Sequence, residues 1–174
     1  GETISSRSYE SFPGGKGLNQ SIAVSRAGAA VFHAGTIGKD GLFLKEILER
    51  SGADTRYLRE CGEVTGHALI QVSEEGENCI ILFNGSNYEN DRGFMDEVLK
   101  DFSKGDILLL QNEISNLDYL LQRGKEKGMR IMLNPSPMDG HLKEMDLSGV
   151  TWLMLNETEG NEITGEKEAS RIAE

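Results

Sequence analysis

The sequence predicts an α/β protein with a mostly parallel sheet and, outside that sheet, a small antiparallel flap. Three observations carry the prediction. Short apolar runs such as "DILLLQ" (106–111) and "VTWLMLN" (150–156) show little polar alternation, the pattern of strands covered on both faces. Segments with helical spacing lie between such runs, and strand–helix alternation builds βαβ units. Two stretches, 2–12 and 65–83, are rich in β residues and fall outside the alternation.

The elements follow in order. "ETISSRSYESF" (2–12) reads as an exposed strand. After a glycine cluster, Leu18, Ile22, Val24 and Ala27 mark a helix closed by Gly28. "AAVFHAGTIG" (29–38) reads as a buried strand, and "LFLKEILERSG" (42–52) as an amphipathic helix with Leu44, Ile47 and Leu48 on one face. "TGHALIQVSEEGENCIILF" (65–83) holds two β-rich runs joined by the polar Ser73–Asn78, a hairpin. Alternation then returns: "FMDEVLKDF" (94–102) helical, "DILLLQ" a strand, "LDYLLQRGKEKG" (117–128) helical. "MRIMLNPSP" (129–137) is a strand stopped by prolines, "VTWLMLN" another strand, and "ETEGNEITG" (157–165) opens a helix.

Composition narrows the function classes. The 174 residues are 37% hydrophobic, enough for one domain with its own core. With 29 carboxylates against 18 Lys and Arg, the net charge is −11, so nucleic acid and anionic membrane surfaces are not expected partners. Cys61 and Cys79 form no C-x-x-C, which argues against zinc and for reduced thiols. No apolar stretch reaches membrane-spanning length and the N-terminus does not read as a signal peptide, so a soluble, cytoplasmic chain is expected.

"FPGGKGLNQS" (12–21) is the conspicuous motif, and it is neither common phosphate loop. A P-loop would need glycine where Glu10 stands and Ser or Thr where Gly17 stands; a dinucleotide loop would need glycine at Gln20. In parallel sheets ligands bind beyond the carboxyl ends of the strands. Gln111–Glu113, Asn134–Pro137 and Asn156–Glu159 occupy three such ends, which should converge on one rim.

Together, "GGKGLNQ", "TGHALIQV…EGEN", "LLLQNE", "LNPSP" and "LNETE" resemble, in order and spacing, the ribokinase-like (PfkB) carbohydrate kinases. The resemblance covers essentially the whole chain. It implies a doubly wound α/β core with helices on both faces, spanning 13–64 and 84–174, and a β lid from 1–12 and 65–83. It implies transfer of the ATP γ-phosphate to the primary hydroxyl of ribose or a similar sugar, with Mg²⁺ and a possible K⁺ requirement, and a homodimer formed through the lid.

By the same resemblance, Gly14, Gly15 and Asn19 bind sugar hydroxyls, with Lys16 extending the loop toward the sugar or its acidic neighbours. Missing Cβ atoms let backbone approach a polyol, and an amide both donates and accepts. Glu113 is the family's sugar-binding carboxylate, which accepts two hydroxyl hydrogen bonds. Asn156 and Glu159 form the N-x-x-E motif: Glu159 orients water around Mg²⁺ and Asn156 lies near the transferring phosphate. The same spacing is that of a helix capping box, and both readings stand. Asn134, Pro135 and Pro137 read mainly as a turn. His67, Ala68 and Ile70 lie on the flap, and His33 and His141 receive no role.

The family's G-A-G-D motif, with the aspartate that takes the sugar proton and the anion hole, does not occur in these residues, nor does its first strand. The expectation is therefore an N-terminal and central portion with no catalytic base of its own and little turnover alone. Competing readings are a non-catalytic sugar-binding or scaffold fragment, and a nucleoside or fructose-phosphate kinase of the same superfamily. Lys16 is the main cation at the rim, which favours a neutral sugar.

Overall fold

The computed structural model describes residues 5–172. Its first part is a βαβ unit preceded by a helix: α1 Lys16–Arg26, β1 Phe32–Ile37, α2 Leu42–Ser51 and β2 Asp54–Glu60. β1 and β2 are parallel, and α2 is the crossover between them. Leu18 of α1, Leu48 of α2 and Ala53 are buried together, with Ile22, Val31, Leu44 and Leu58 packed around them. Of the spaced apolar residues, Leu18, Ile22, Leu44 and Leu48 form the buried seam, whereas Val24 and Ile47 lie outside it and Ala27 is exposed just past α1. β2 was not foreseen, because Asp54, Arg56, Arg59 and Glu60 mask it. Only Thr55 of that strand is fully buried, as an edge strand permits.

A second unit carries α3 Arg92–Leu99, β5 Ile107–Gln111, α4 Leu117–Glu126, β6 Arg130–Asn134, β7 Val150–Leu153, α5 Glu157–Thr164 and α6 Ala169–Ile172. The strands are all parallel in the order β5–β6–β7. Ile131 and Leu133, alternate residues of β6, have no exposure and pack with Met95 and Leu99 of α3 and Leu117, Leu120 and Leu121 of α4. Period-two burial on the strand thus meets helical spacing on two helices. The pairing is parallel throughout, as expected, but among the described residues β1–β2 and β5–β6–β7 are separate sheets.

Between the units stands the hairpin β3 His67–Val72 and β4 Asn78–Phe83, antiparallel from His67 opposite Phe83 to Val72 opposite Asn78. Both strands are exposed along their whole length, including Ile70, Ile80, Ile81 and Leu82. The hairpin's two ends cross at its foot. Ser86 N–H donates to Val64 O at 2.9 Å, and a Cβ on Gly85 would fall 2.2 Å from that same carbonyl. Asp40 Oδ1 accepts from the N–H and hydroxyl of Thr65 at 3.0 and 2.9 Å, pinning the incoming strand.

The strand expected at 2–12 differs from the structure. Residues 2–4 lie outside the described residues, and 5–12 are irregular and exposed throughout. Tyr9 and Phe12, the apolar residues that suggested a strand, are 84% and 73% exposed, so nothing buried rewards pairing. An ion pair from Arg7 to Glu74 holds the segment near the hairpin tip. Among the described residues no helix is long and apolar enough to cross a membrane.

Candidate functional site

Strand register brings the predicted ends to one rim. Gln111 pairs with Asn134 across β5 and β6, and Met154 N–H donates to Leu133 O at 2.8 Å just past β7. The start of α1 reaches the same rim. Lys16 Nζ lies 2.5 Å from Glu113 Oε1, with the two side chains 39% and 23% exposed. A pair this short and half-dry is a charge-assisted hydrogen bond rather than a loose surface contact.

Beside that pair opens a cleft of about 340 Å³, a volume suited to a small ligand. Lys16 forms one wall; Asn134 and Ser136, from the turn after β6, and Asn156 and Glu159, at the start of α5, form the rest with Met154 and Leu155. The proline turn is structural as read: Pro135 is fully buried, Asn134 Oδ1 accepts from Ser136 N–H at 2.9 Å, and Asn112 Nδ2 donates to Pro137 O at 2.7 Å. Asn134 nevertheless faces the cleft, and Ser136, unremarked in the sequence, joins it.

The Asn156–Glu159 spacing forms a complete capping box. Asn156 Oδ1 accepts from Glu159 N–H at 2.9 Å, and Glu159 Oε2 accepts from Asn156 N–H at 3.0 Å. The structural reading of this motif therefore holds, and both side chains also line the cleft. The box leaves Glu159 Oε1 and Asn156 Nδ2 for other partners. Among the described residues no three acidic, His or Cys side chains gather around a possible metal position. One free carboxylate oxygen suits Mg²⁺ held through its waters, since that ion keeps most of its hydration shell.

Gly15 precedes α1 with φ +97°, a conformation that excludes other residues at little strain. Gly14 is open on its Cβ side, and α1 has no side-chain cap, so the first N–H groups of this 11-residue helix are left for solvent or ligand. Asn19 is exposed one turn into α1, with its N–H on Gly15 O at 3.0 Å. Gly14, Gly15 and Asn19 thus lie beside Lys16 at the helix start but do not line the cleft itself.

Two further polar groups are shielded from water, one half-buried on β1 and one buried at the end of β5. His33 on β1 meets Ser21 Oγ of α1 at 2.8 Å, and burial pulls its imidazole from 6.5 down to about 4. Gln111 is 7% exposed, and neither amide atom finds a partner among the described residues. A glutamine ending an apolar strand was the only sequence signal for it.

Residues 1–174 match the family model described as pfkB family carbohydrate kinase. The chain is 34% identical over 170 residues to a ribokinase of Haemophilus influenzae, covering 95% of this chain and 55% of that protein. It thus spans about half the length of its curated relative. Among solved structures, ribokinase of Cryptococcus neoformans var. grubii, in complex with ADP, superposes with a TM-score of 0.81 at 36% identity over 99% of this chain and 57% of that one. Arabidopsis thaliana ribokinase, complexed with ribose and ATP, gives 0.79 at 27% identity over 99% and 58%.

Proposed function

The chain belongs to the pfkB family of carbohydrate kinases, phosphotransferases with an alcohol group as acceptor, and we propose that its rim binds ribose or a closely similar sugar for phosphorylation by ATP. One observation carries the reading: the Lys16–Glu113 pair stands beside a cleft that Lys16, Asn156 and Glu159 all line. The likeness to ribose- and nucleotide-bound ribokinases supports it.

Glu113, held by Lys16, offers its second oxygen to two neighbouring hydroxyls. Asn19 and the backbone of Gly14 and Gly15 approach the sugar from the helix start. Lys16 lies between the sugar side and the cleft, where it balances anionic charge. Asn156 Nδ2 donates toward phosphate, and Glu159 Oε1 receives the waters of Mg²⁺, which supplies charge neutralisation for the phosphates. Neither Glu113, beside the cleft, nor Glu159, in its wall, is assigned as base, since Glu113 is paired to Lys16 and Glu159 to its own helix. The scarcity of other cations at the rim fits a neutral sugar.

The apolar hairpin supports a second proposal, a symmetric homodimer through β3 and β4. Six large apolar side chains from Leu69 to Leu82 are 48–67% exposed, an unusual density for a surface that stays wet.

Calorimetric titration with ribose tests the sugar assignment. Asn19→Ala and Glu113→Ala should each lower affinity, by about 0.5–1.5 kcal/mol for the neutral amide and about 1.5–3 kcal/mol for the charged carboxylate. Unchanged affinity in both variants would overturn the assignment.

A further inference from the structure

A buried polar node ties the foot of the hairpin to the loop that carries Glu113. Its centre is Asn90, 5% exposed, which follows a 3₁₀ turn at Gly85–Tyr88 leading out of β4. Asn90 Oδ1 accepts from Thr36 Oγ1 at 2.8 Å, and Asn90 Nδ2 donates to Asn87 O at 2.8 Å. Thr36, on β1, is itself 4% exposed and accepts from Arg59 Nε at 3.1 Å. Ser86 has no exposure and donates through Oγ to Thr36 O at 2.7 Å. On the opposite side, the carbonyl of Asn90 accepts from Ser115 Oγ and from Asn116 Nδ2, both at 2.9 Å.

Those last two bonds matter for geometry. Ser115 and Asn116 close the turn that begins at Asn112 and Glu113, after β5. Asn116 is the one residue other than glycine with positive φ among the described residues, at +54°. A left-handed asparagine costs energy that its surroundings must repay, and the bond to Asn90 O is one such repayment. Every polar atom of the Asn90 amide and carbonyl has a partner, so the node has one low-energy arrangement.

We propose that Asn90 is a positioning residue for Glu113: through Ser115 and Asn116 it fixes the turn that presents the Glu113 carboxylate to Lys16 and to sugar. Asn90 touches no ligand on this reading. Its effect on binding runs entirely through the aim of Glu113, and the proposal rests on the sugar-binding role given to Glu113 above.

The test is a double-mutant cycle on ribose affinity, measured by calorimetry below the unfolding temperature of each variant. Asn116→Gly keeps the left-handed turn without strain and removes only the bond to Asn90 O. Asn90→Ala removes the links to Thr36 and Asn87. Each should weaken ribose binding about tenfold, within the range of coupling between neighbouring residues. In the Glu113→Ala background each should cost nothing further. Asn116→Gly folds on general grounds, so it decides the matter even where Asn90→Ala does not fold. An equal loss in both backgrounds, or no loss from Asn116→Gly in the native background, overturns the proposal. A Glu113→Ala variant that binds ribose normally refutes instead the sugar role of Glu113, which separates the two failures.

Discussion

Acidification from pH 7 to pH 5 should weaken the fold through His33. The imidazole lies between α1 and β1 and titrates near 4 rather than 6.5 because burial disfavours its charged form. The unfolded chain takes up a proton as pH falls below 6.5, while the folded chain refuses it until about 4. Stability is therefore fully present above 6.5, is lost progressively below it, and levels off near 4. Each pKa unit is worth ~1.4 kcal/mol, and integrating from pH 7 to pH 5 gives a loss of about 2 kcal/mol. Urea denaturation at closely spaced pH values measures it. His33→Gln keeps an acceptor for Ser21 Oγ and cannot titrate, so its stability should fall less over the same window, by that same 2 kcal/mol or so. Asp40, Asp91 and Asp146, held low by their backbone and side-chain hydrogen bonds, contribute equally to both proteins and cancel. Parallel profiles for the two proteins would refute the argument.

Other outcomes follow from features already described. Gly85→Ala must move Val64 O away from a Cβ at 2.2 Å, and should destabilise by about 1–3 kcal/mol in thermal unfolding. Asn156→Ala removes the cap of α5 and should cost about 1 kcal/mol by the same measurement in the absence of ligand. Ile70→Asp and Ile80→Asp, directly opposite one another on the hairpin, should shift the protein from dimer to monomer in light scattering. A native protein that is monomeric at high concentration would refute the lid interface.

What the sequence revealed depended on how far each signal reached along the chain. β5, β6 and β7 were legible because strands in a parallel sheet are apolar on both faces, and their polar ends marked the rim. β2 was not, since an edge strand carries its charges on the open side and so looks like a loop. The 5–12 stretch misled for the opposite reason: aromatic residues such as Tyr9 and Phe12 speak for a strand only when buried surface rewards the pairing. Asn156 and Glu159 were legible twice over, as cap and as ligand residues, and the capping box sits on the cleft wall. Asn90, Thr36 and Ser86 were silent, because a buried hydrogen bond between residues 36 and 90 leaves no periodicity in the intervening sequence.

The Lys16–Glu113 pair also has a history in time. Its partners are 97 residues apart in the chain, and translation adds roughly 5–20 residues per second. For about 5–20 seconds after the ribosome has made the glycine loop and α1, the acid that Lys16 answers does not yet exist. α1, β1, α2 and β2 have their short-range contacts from the start and can settle early. The rim has to wait for β5, then for β6 and β7, before it is more than a lysine at a bare helix end. Nascent chains stalled between residues 60 and 106 should thus hold a folded βαβ unit that is blind to sugar, and recognition should switch on only as the second unit is made.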